Sequence, residues 1–294
     1  MLPAKDSVPP HFCTLGGTLV IESRLLNMTD RALPEYECPP AVETLMGFHF
    51  APLTEWGVLR LGQVWDLFQS DYPKGNVFGP AGVQPNVTLE ASDLSQLPLR
   101  AMFTNSDRSE LIQVQHSAFL RNWRKVPENK AYTHYTDLKP RFQADWRTFL
   151  GFLKEKKIEA PSVFQCEVTY VNHLVRGKDW DSYSDLANWI KFFAPRGVGE
   201  FARQYSYLPD AANVGLSVGY TFPESGLTLQ FMAQSAITMP EGVEVLQFMI
   251  SAKAAPTGAS DEALMKTLDS CHDAVIIAFD DATTEFAHRQ WRKR

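Results

Sequence analysis

Cysteine is scarce in this sequence and irregularly spaced. Only four cysteines occur in 294 residues, and no two of them form a C-x-x-C pair. This spacing excludes a disulfide scaffold and a zinc ribbon, and it favours reduced thiols in the cytoplasm. The four residues are Cys13, Cys38, Cys166 and Cys271.

Long hydrophobic runs are missing too. No apolar run approaches the roughly 20 residues that cross a bilayer, and the amino terminus lacks the basic and apolar segments of a secretory signal. The charge balance of 28 Lys and Arg against 34 Asp and Glu gives a net charge of -6. This charge does not favour indiscriminate attraction to nucleic acid or to an anionic membrane. We therefore expect a cytoplasmic protein without membrane contact.

Several catalytic motifs are absent. The sequence has no G-x-S-x-G elbow, no H-x-H or H-x-x-x-H among its seven histidines, and no Walker lysine near its glycines. Cys166 near His173 and Cys271 beside His272 are the closest thiol and imidazole pairs. The first pair has opposite facing along a strand and the second has its thiol on an apolar helix stripe, so both favour buried structural cysteines. We therefore predict no enzymatic activity, no metal and no cofactor.

The densest combination of strand pattern and polar chemistry lies in residues 111–125, LIQVQHSAFLRNWRK. We interpret this stretch as one strand, the second of an antiparallel hairpin whose turn is residues 106–109. Because side chains alternate across a strand, one face of it is polar. The predicted polar side carries Leu111, Gln113, Gln115 and Ser117, and the other side carries Ile112, Val114 and His116.

The order of the predicted elements occurs twice. Residues 34–158 read as a strand, a helix, the loop 74–96, hairpin strands and a long helix capped by Asp137. Residues 159–294 read as a strand, a short helix capped by Ser184 or Asp185, three strands, and a long helix running from Asp261 into the basic tail HRQWRKR. ELIQVQHSAF aligns with EVLQFMISAK, which favours an internal duplication.

The predicted fold class is therefore α+β. An antiparallel sheet carries long helices packed on one face and leaves its other face free. Residues 34–158 and 159–294 are its two halves and form one compact unit, while residues 1–33 are a poorly ordered or accessory segment. Met28 is a candidate native start within that segment.

Six segments between Pro34 and the carboxyl terminus carry a resemblance: PPAVETLMGFHF, WDLFQSDYP, LIQVQHSAFLRNWRK, YTHYTDLKPRF, CEVTYVNHL and CHDAVIIAFDDATTEFAHRQW. Their most specific parts are NWRK, residues 122–125, and EVTYVN, residues 167–172. Together they resemble a sporadically distributed family of bacterial proteins of uncharacterised function. Residues 132–135 read YTHY, where the family has a Tyr-Pro-x-Tyr form. The resemblance implies a patchy, horizontally mobile distribution and assigns no catalytic residues.

The predicted free face is rich in amides, which can donate to and accept from the polar edge of a partner. It is interpreted either as a broad concave binding surface or as a solvated face. Two roles are open for residues 122–124. In the first, all three side chains, Asn122, Trp123 and Arg124, contact a ligand. In the second, Trp123 packs between the halves, while Asn122 and Arg124 satisfy buried backbone groups or Glu167. Polar candidates on the face are Gln113, Gln115, Gln165, Glu167, Thr169, Gln230, Gln234, Gln247 and Lys253.

We expect a non-enzymatic binding or regulatory protein of the bacterial cytoplasm. Its leading function is contact with a protein partner or a second copy of itself, in an accessory system such as phage defence or toxin neutralisation. The first alternative is a small-molecule or nucleotide sensor with its ligand between sheet and helices. The second is a nucleic-acid-binding protein acting through RNWRK and WRKR. The predicted binding residues are Gln113, Gln115, Asn122, Trp123, Arg124, Glu167, Tyr170 and Asn172.

Overall fold

The computed structural model describes residues 31–54, 56–79, 99–127, 131–193 and 213–294. Within these residues, nine strands form one antiparallel sheet. The strands are β1 (Ala41–Phe50), β2 (Lys74–Phe78), β3 (Arg100–Thr104), β4 (Glu110–Gln115), β5 (Ala118–Arg124), β6 (Val163–Val175), β7 (Gly215–Phe222), β8 (Leu227–Ile237) and β9 (Glu244–Ala254). Their order across the sheet is β2-β3-β4-β5-β1-β6-β9-β8-β7. The predicted segment 1–33 lies almost wholly outside the described residues.

Two long helices cover one face of this sheet. The described α-helices are α1 (Val58–Phe68), α2 (Tyr135–Glu155), α3 (Asp261–Ala282) and α4 (Glu285–Gln290). In α2, Trp146 packs against Phe48 of β1 and Phe119 of β5. In α3, the carbonyl of Leu264 lies 3.9 Å from Sγ of Cys166 in β6, on the same side. The α+β class is therefore confirmed, with both long helices on one face. None of the helices in the described part of the chain has the length and apolarity needed to cross a bilayer.

Strand β1 forms the centre of the core. It pairs with β5 on one side and with β6 on the other, and its Met46, Phe48 and Phe50 are buried on the helix side. The prolines at 39 and 40 precede the first paired residue, so they remove no hydrogen bond from the strand interior. The aromatic side chains of α2 fill the space above this strand.

The stretch 111–125 is two strands, not one. β4 ends at Gln115 and β5 begins at Ala118, and His116 and Ser117 form the turn between them. In β4 the apolar residues that face the helices have even numbers, such as Ile112 and Val114. In β5 they have odd numbers, such as Phe119. A reversal of the chain produces this change of parity, so the prediction of one continuous polar face through Ser117 is wrong.

Several predicted boundaries are also wrong. His134 precedes α2, so Asp137 lies inside its first turn. Ser182 caps a 3-10 helix, Tyr183–Asn188, with Asp185 in the reciprocal capping position. The final helix breaks after residue 282, where the hydroxyl of Thr284 accepts from the backbone of Ala287 and starts α4. Residues 74–78 of the predicted loop form edge strand β2, and most of the remaining loop lies outside the described residues.

The sheet face opposite the helices is not free at its centre. Gln113, Asn122, Thr169 and Ser251 are buried there, whereas Gln230 is exposed near the edge. The strand register brings polar groups of neighbouring strands together, and they bond to one another. The prediction of a free face is therefore wrong for the central strands, because the amides and hydroxyls satisfy each other.

Candidate ligand-binding cavity

The eight predicted binding residues do not form one site. Trp123, Tyr170 and Asn172 lie on the helix side of the sheet, where Trp123 meets the ring of Tyr132 edge-on at 5.4 Å. The other five lie on the opposite face by strand alternation. These five are Gln113, Gln115, Asn122, Arg124 and Glu167.

Asn122 and Arg124 are held by Glu43, the residue paired with Arg124 in the neighbouring strand. The Asn122 amide donates to Oε1 of Glu43, and Nε of Arg124 donates to the same oxygen over 3.3 Å. Gln113 donates to Oδ1 of Asn122 over 2.8 Å. The sequence-based choice of Glu167 as the acidic partner is therefore wrong. These side chains link β4, β5 and β1 on the face away from the helices.

Glu167 is the centre of a second network on that face. Its Oε2 lies 2.7 Å from Nε2 of His49 and 3.3 Å from Nζ of Lys253. Its Oε1 accepts from Thr169 over 3.0 Å and from Ser251 over 3.3 Å. Burial works against ionisation of Glu167, but the His49 hydrogen bond and the charge of Lys253 outweigh it and lower the pKa of the carboxyl to about 2. Both carboxylate oxygens are satisfied, so this network links the three central strands.

Arg121 of the RNWRK segment points toward the helices and is buried. It forms ion pairs with Glu110 of β4 and Asp145 of α2 and donates to the hydroxyl of Tyr72 over 2.5 Å. Arg141 bonds the second oxygen of Glu110 over 2.5 Å. A guanidinium paired in this way does not contribute to a surface patch that could contact phosphates.

A cavity of about 270 Å³ lies between the sheet and the helices. β6 contributes Tyr170 and Asn172, which are two residues apart and so point to the same side of the strand. α3 contributes one stripe of its surface, with spacings of three and four residues. That stripe is His272, Val275, Ile276 and Phe279, and the remaining walls include Tyr36, Ala41, Tyr132, His134 and Tyr135.

Two larger clefts of about 670 and 660 Å³ lie elsewhere on the surface and are more open. The first is built over the Arg121 network, where the charges already pair with one another. The second lies between α1 and the edge strand β2 and is mainly apolar. The sheet–helix cavity is smaller but better defined, and it combines apolar walls with a few convergent polar groups, as ligand sites do.

His272 is the main polar group of the cavity. Its Nδ1 lies 3.1 Å from the hydroxyl of Tyr170, and its ring stacks on Tyr135 with 3.9 Å between centroids and 6° between planes. Burial lowers the pKa of His272 to about 4, with the charge of Asp269 opposing the shift. The imidazole is therefore neutral at neutral pH. When Tyr170 donates to Nδ1, the Nε2–H is left to donate to a ligand.

Asn172 supplies a second polar group. It is buried, and its Nδ2 donates to the carbonyl of Phe248 in β9 over 3.1 Å. Its Oδ1 accepts no hydrogen bond from the part of the chain that the structure describes. Asn172 therefore presents an open acceptor beside the cavity.

Sequence reasoning identified Tyr170 and Asn172 but missed Tyr36, Tyr135 and His272. Tyr135 belongs to the segment YTHY and His272 to the segment CHDAV, and both segments carry part of the resemblance. Their rings converge only because the start of α2 and the middle of α3 pack over the same end of β6. One sequence signal could have predicted the α3 side of the cavity. It is a helical stripe that places a histidine among apolar residues.

Protein-family models, curated proteins and solved structures provide no match to this chain. Within the described ranges, no group of three His, Cys, Asp or Glu side chains is arranged to hold a metal ion. The resemblance to a bacterial family remains a prediction, and the function must be argued from the geometry of the cavity.

Proposed function

We propose that this protein binds a small organic molecule in the cavity between its sheet and its helices, as a sensor or carrier. The observation that carries the proposal is the open acceptor of Asn172 and the neutral His272 beside apolar and aromatic walls. The volume of about 270 Å³ lies just below the roughly 300 to 1,000 Å³ of ligand pockets. The ligand is therefore smaller than a dinucleotide.

Filling the cavity is expected to abolish binding. Ile276 lines the cavity from α3 and is only half-buried, so Ile276→Trp places a large ring in the cavity mouth without removing core packing. Ser270→Trp adds the same ring to an exposed position of the same helix outside the lining. In a ligand-observed NMR screen of small fragments, we expect bound fragments to lose at least about tenfold in affinity for Ile276→Trp. Ser270→Trp should bind like the wild type.

Two outcomes of the fragment screen contradict the proposal. One is that fragments bind Ile276→Trp as well as they bind the wild type, because their site then lies elsewhere. The other is that no fragment binds the wild type. Circular dichroism and thermal melting of both variants verify that the helix remains folded.

We also propose a protein-interaction role for edge strand β2. All five of its residues are exposed, and Val77 and Phe78 are 51% and 44% exposed. Among the described strands, β2 pairs only with β3. An exposed apolar edge strand favours the addition of a strand from another chain, and a second copy of this chain supplies one of the same pattern.

Val77→Lys is expected to weaken self-association through this edge, because a charge on an edge strand disfavours strand addition. The measurement is the molar mass by light scattering across a wide concentration range. Ile237→Lys is the control, since Ile237 is 66% exposed near the opposite end of the sheet. A wild type that stays monomeric at all concentrations, or equal effects of the two variants, speaks against the role of β2.

We infer in addition that the chain consists of two copies of one ancestral unit. The strand order supports this inference: β1-β5-β4-β3 runs outward from the centre as β6-β9-β8-β7 does, and β2 is extra. By position the counterpart of β9 is β5, rather than the β4 that the sequence alignment indicated. Superposition of the two halves tests the inference, which fails if α2 and α3 do not fall over equivalent strands.

A further inference from the structure

We infer that the cavity selects a small organic cation of the methylated-ammonium class over neutral and anionic molecules of the same shape. This inference rests on the proposed function and names the ligand class of that same cavity. Three features of the cavity carry it: the arrangement of the aromatic rings, the partners of the tyrosine hydroxyls, and the distribution of charge around the mouth.

Aromatic rings form walls of the cavity at several angles. The ring of Tyr36 meets Phe279 at 86° with centroids 5.4 Å apart, and Tyr132 meets His134 at 76° and 4.9 Å. The cavity also has Tyr170 in its lining. These rings pack edge-to-face against each other and form a continuous aromatic wall beside the cavity. The negative faces of such rings attract a cation within about 6 Å.

Two of these tyrosines donate their hydroxyls to carboxylates. Tyr36 donates to Oδ1 of Asp280 over 2.6 Å, and Tyr135 donates to Oδ1 of Asp269 over 3.1 Å. A phenol that donates to a carboxylate becomes more electron-rich, because hydrogen-bonded groups polarise one another in a medium of low dielectric constant. Asp280 also pairs with Lys293 over 2.5 Å and Asp269 with Lys139 over 2.6 Å, so these hydrogen bonds polarise the rings without adding net negative charge. A more electron-rich ring attracts a cation more strongly.

The charge in the described lining of the cavity is negative, and the lysines nearest to it, Lys139 and Lys293, are paired with carboxylates. Among the described residues, the lining contains the carboxylate of Glu35 and neither lysine nor arginine. On α3, burial raises the pKa of Asp273 and the neighbouring charge of Asp269 adds to the shift, which favours the neutral carboxyl, so the negative charge of the lining comes from Glu35. Lys139 bonds both oxygens of Asp269 over 2.7 and 2.6 Å, so its charge is already neutralised. Among the described residues, neither Glu35 nor Asp273 has a salt-bridge partner. An anionic ligand would find no opposite charge on the lining residues that the structure describes.

The open acceptor of Asn172 completes the match. A quaternary ammonium group fills the ring-lined space without needing a hydrogen bond, and a hydroxyl two carbons away can donate to Oδ1 of the amide. Choline has this composition, and 3,3-dimethyl-1-butanol is its neutral counterpart with the same shape. The two compounds therefore separate the effect of charge from the effect of shape.

Titration calorimetry with these two probes tests the inference on the full chain. We expect choline to bind about tenfold more tightly than 3,3-dimethyl-1-butanol, the ratio that a desolvated cation–π contact supports. Glu35→Gln should weaken choline binding about threefold at low salt and leave the neutral compound unchanged. Glu37→Gln is the matched control, because Glu37 lies two residues away and outside the lining.

Equal affinities for the two probes overturn the ligand class while leaving the proposed binding function intact. The class is also overturned if neither probe binds although other fragments bind the wild type and not Ile276→Trp. If choline binds Ile276→Trp as tightly as it binds the wild type, its site is elsewhere and the inference fails. A choline preference that Ile276→Trp removes supports it.

Discussion

Replacing Arg121 by methionine is expected to lower the free energy of unfolding by about 3 kcal/mol, because the substitution leaves the carboxylate of Asp145 without its cation and Glu110 with only the exposed Arg141. The Arg121 side chain is 3% exposed, and those of its partners Glu110 and Asp145 are 13% and 15% exposed. Methionine retains much of the packing volume, so the loss measures charge and hydrogen bonding. Urea unfolding followed by circular dichroism gives the free energy.

Two comparisons make this prediction specific. Arg141→Met removes a 55% exposed partner of Glu110 and should cost less than about 1 kcal/mol, as exposed ion pairs do. Combining Arg121→Met with Glu110→Gln and Asp145→Asn should restore part of the lost stability, since no buried charge is then left unpaired. If Arg121→Met and Arg141→Met destabilise the protein equally, the buried network does not have the role assigned to it.

Gly47→Ala is expected to destabilise the fold by about 3 kcal/mol, the upper end of the usual cost of overpacking. Gly47 lies in the central strand β1, on the face away from the helices. A Cβ added there would collide with the backbone carbonyl of Phe119, and it would lie 2.6 Å from Cδ2 and 2.8 Å from Cα of Leu120. Backbone atoms of β5 cannot move aside without breaking the ladder that joins the two strands.

A second glycine provides the control for this substitution. Gly151 lies in α2, where an added Cβ meets nothing within 4 Å. Gly151→Ala should therefore stabilise the protein by roughly 0.5 to 1 kcal/mol through helix propensity. The prediction for Gly47 is contradicted if both substitutions shift the urea midpoint in the same direction.

The cavity shows how much of a site a strand pattern can predict. The sequence predicts Tyr170 and Asn172 as binding residues of one strand, and alternation correctly places them on one face. Their neighbours come from the segment before α2, from α3 and from residues 33–41, which lie far apart along the chain. Helix packing decides which aromatic side chains of those segments meet in the cavity. No local sequence pattern contains that information.

The opposite face shows how composition can mislead. Glutamines and threonines along central strands indicated an exposed polar surface. In the structure, Gln113 bonds Asn122, and Thr169 bonds Ser251 over 2.7 Å. Polar side chains become buried where neighbouring strands supply donors and acceptors in register. Register joins residues that are 9 and 82 positions apart in these two cases, so the sequence shows only their polarity.

By itself the sequence determined the α+β class of this protein. It predicted most strands and both long helices near their observed positions, and it predicted that the two amphipathic helices pack on one face of a sheet. Periodicity carries this information because each side chain's direction follows from local backbone geometry. Only the tertiary structure decided that residues 111–125 reverse at His116, that Glu43 rather than Glu167 holds Asn122, and that Tyr36, Tyr135 and His272 share a cavity with Tyr170. These are contacts between distant segments, and packing and register select them.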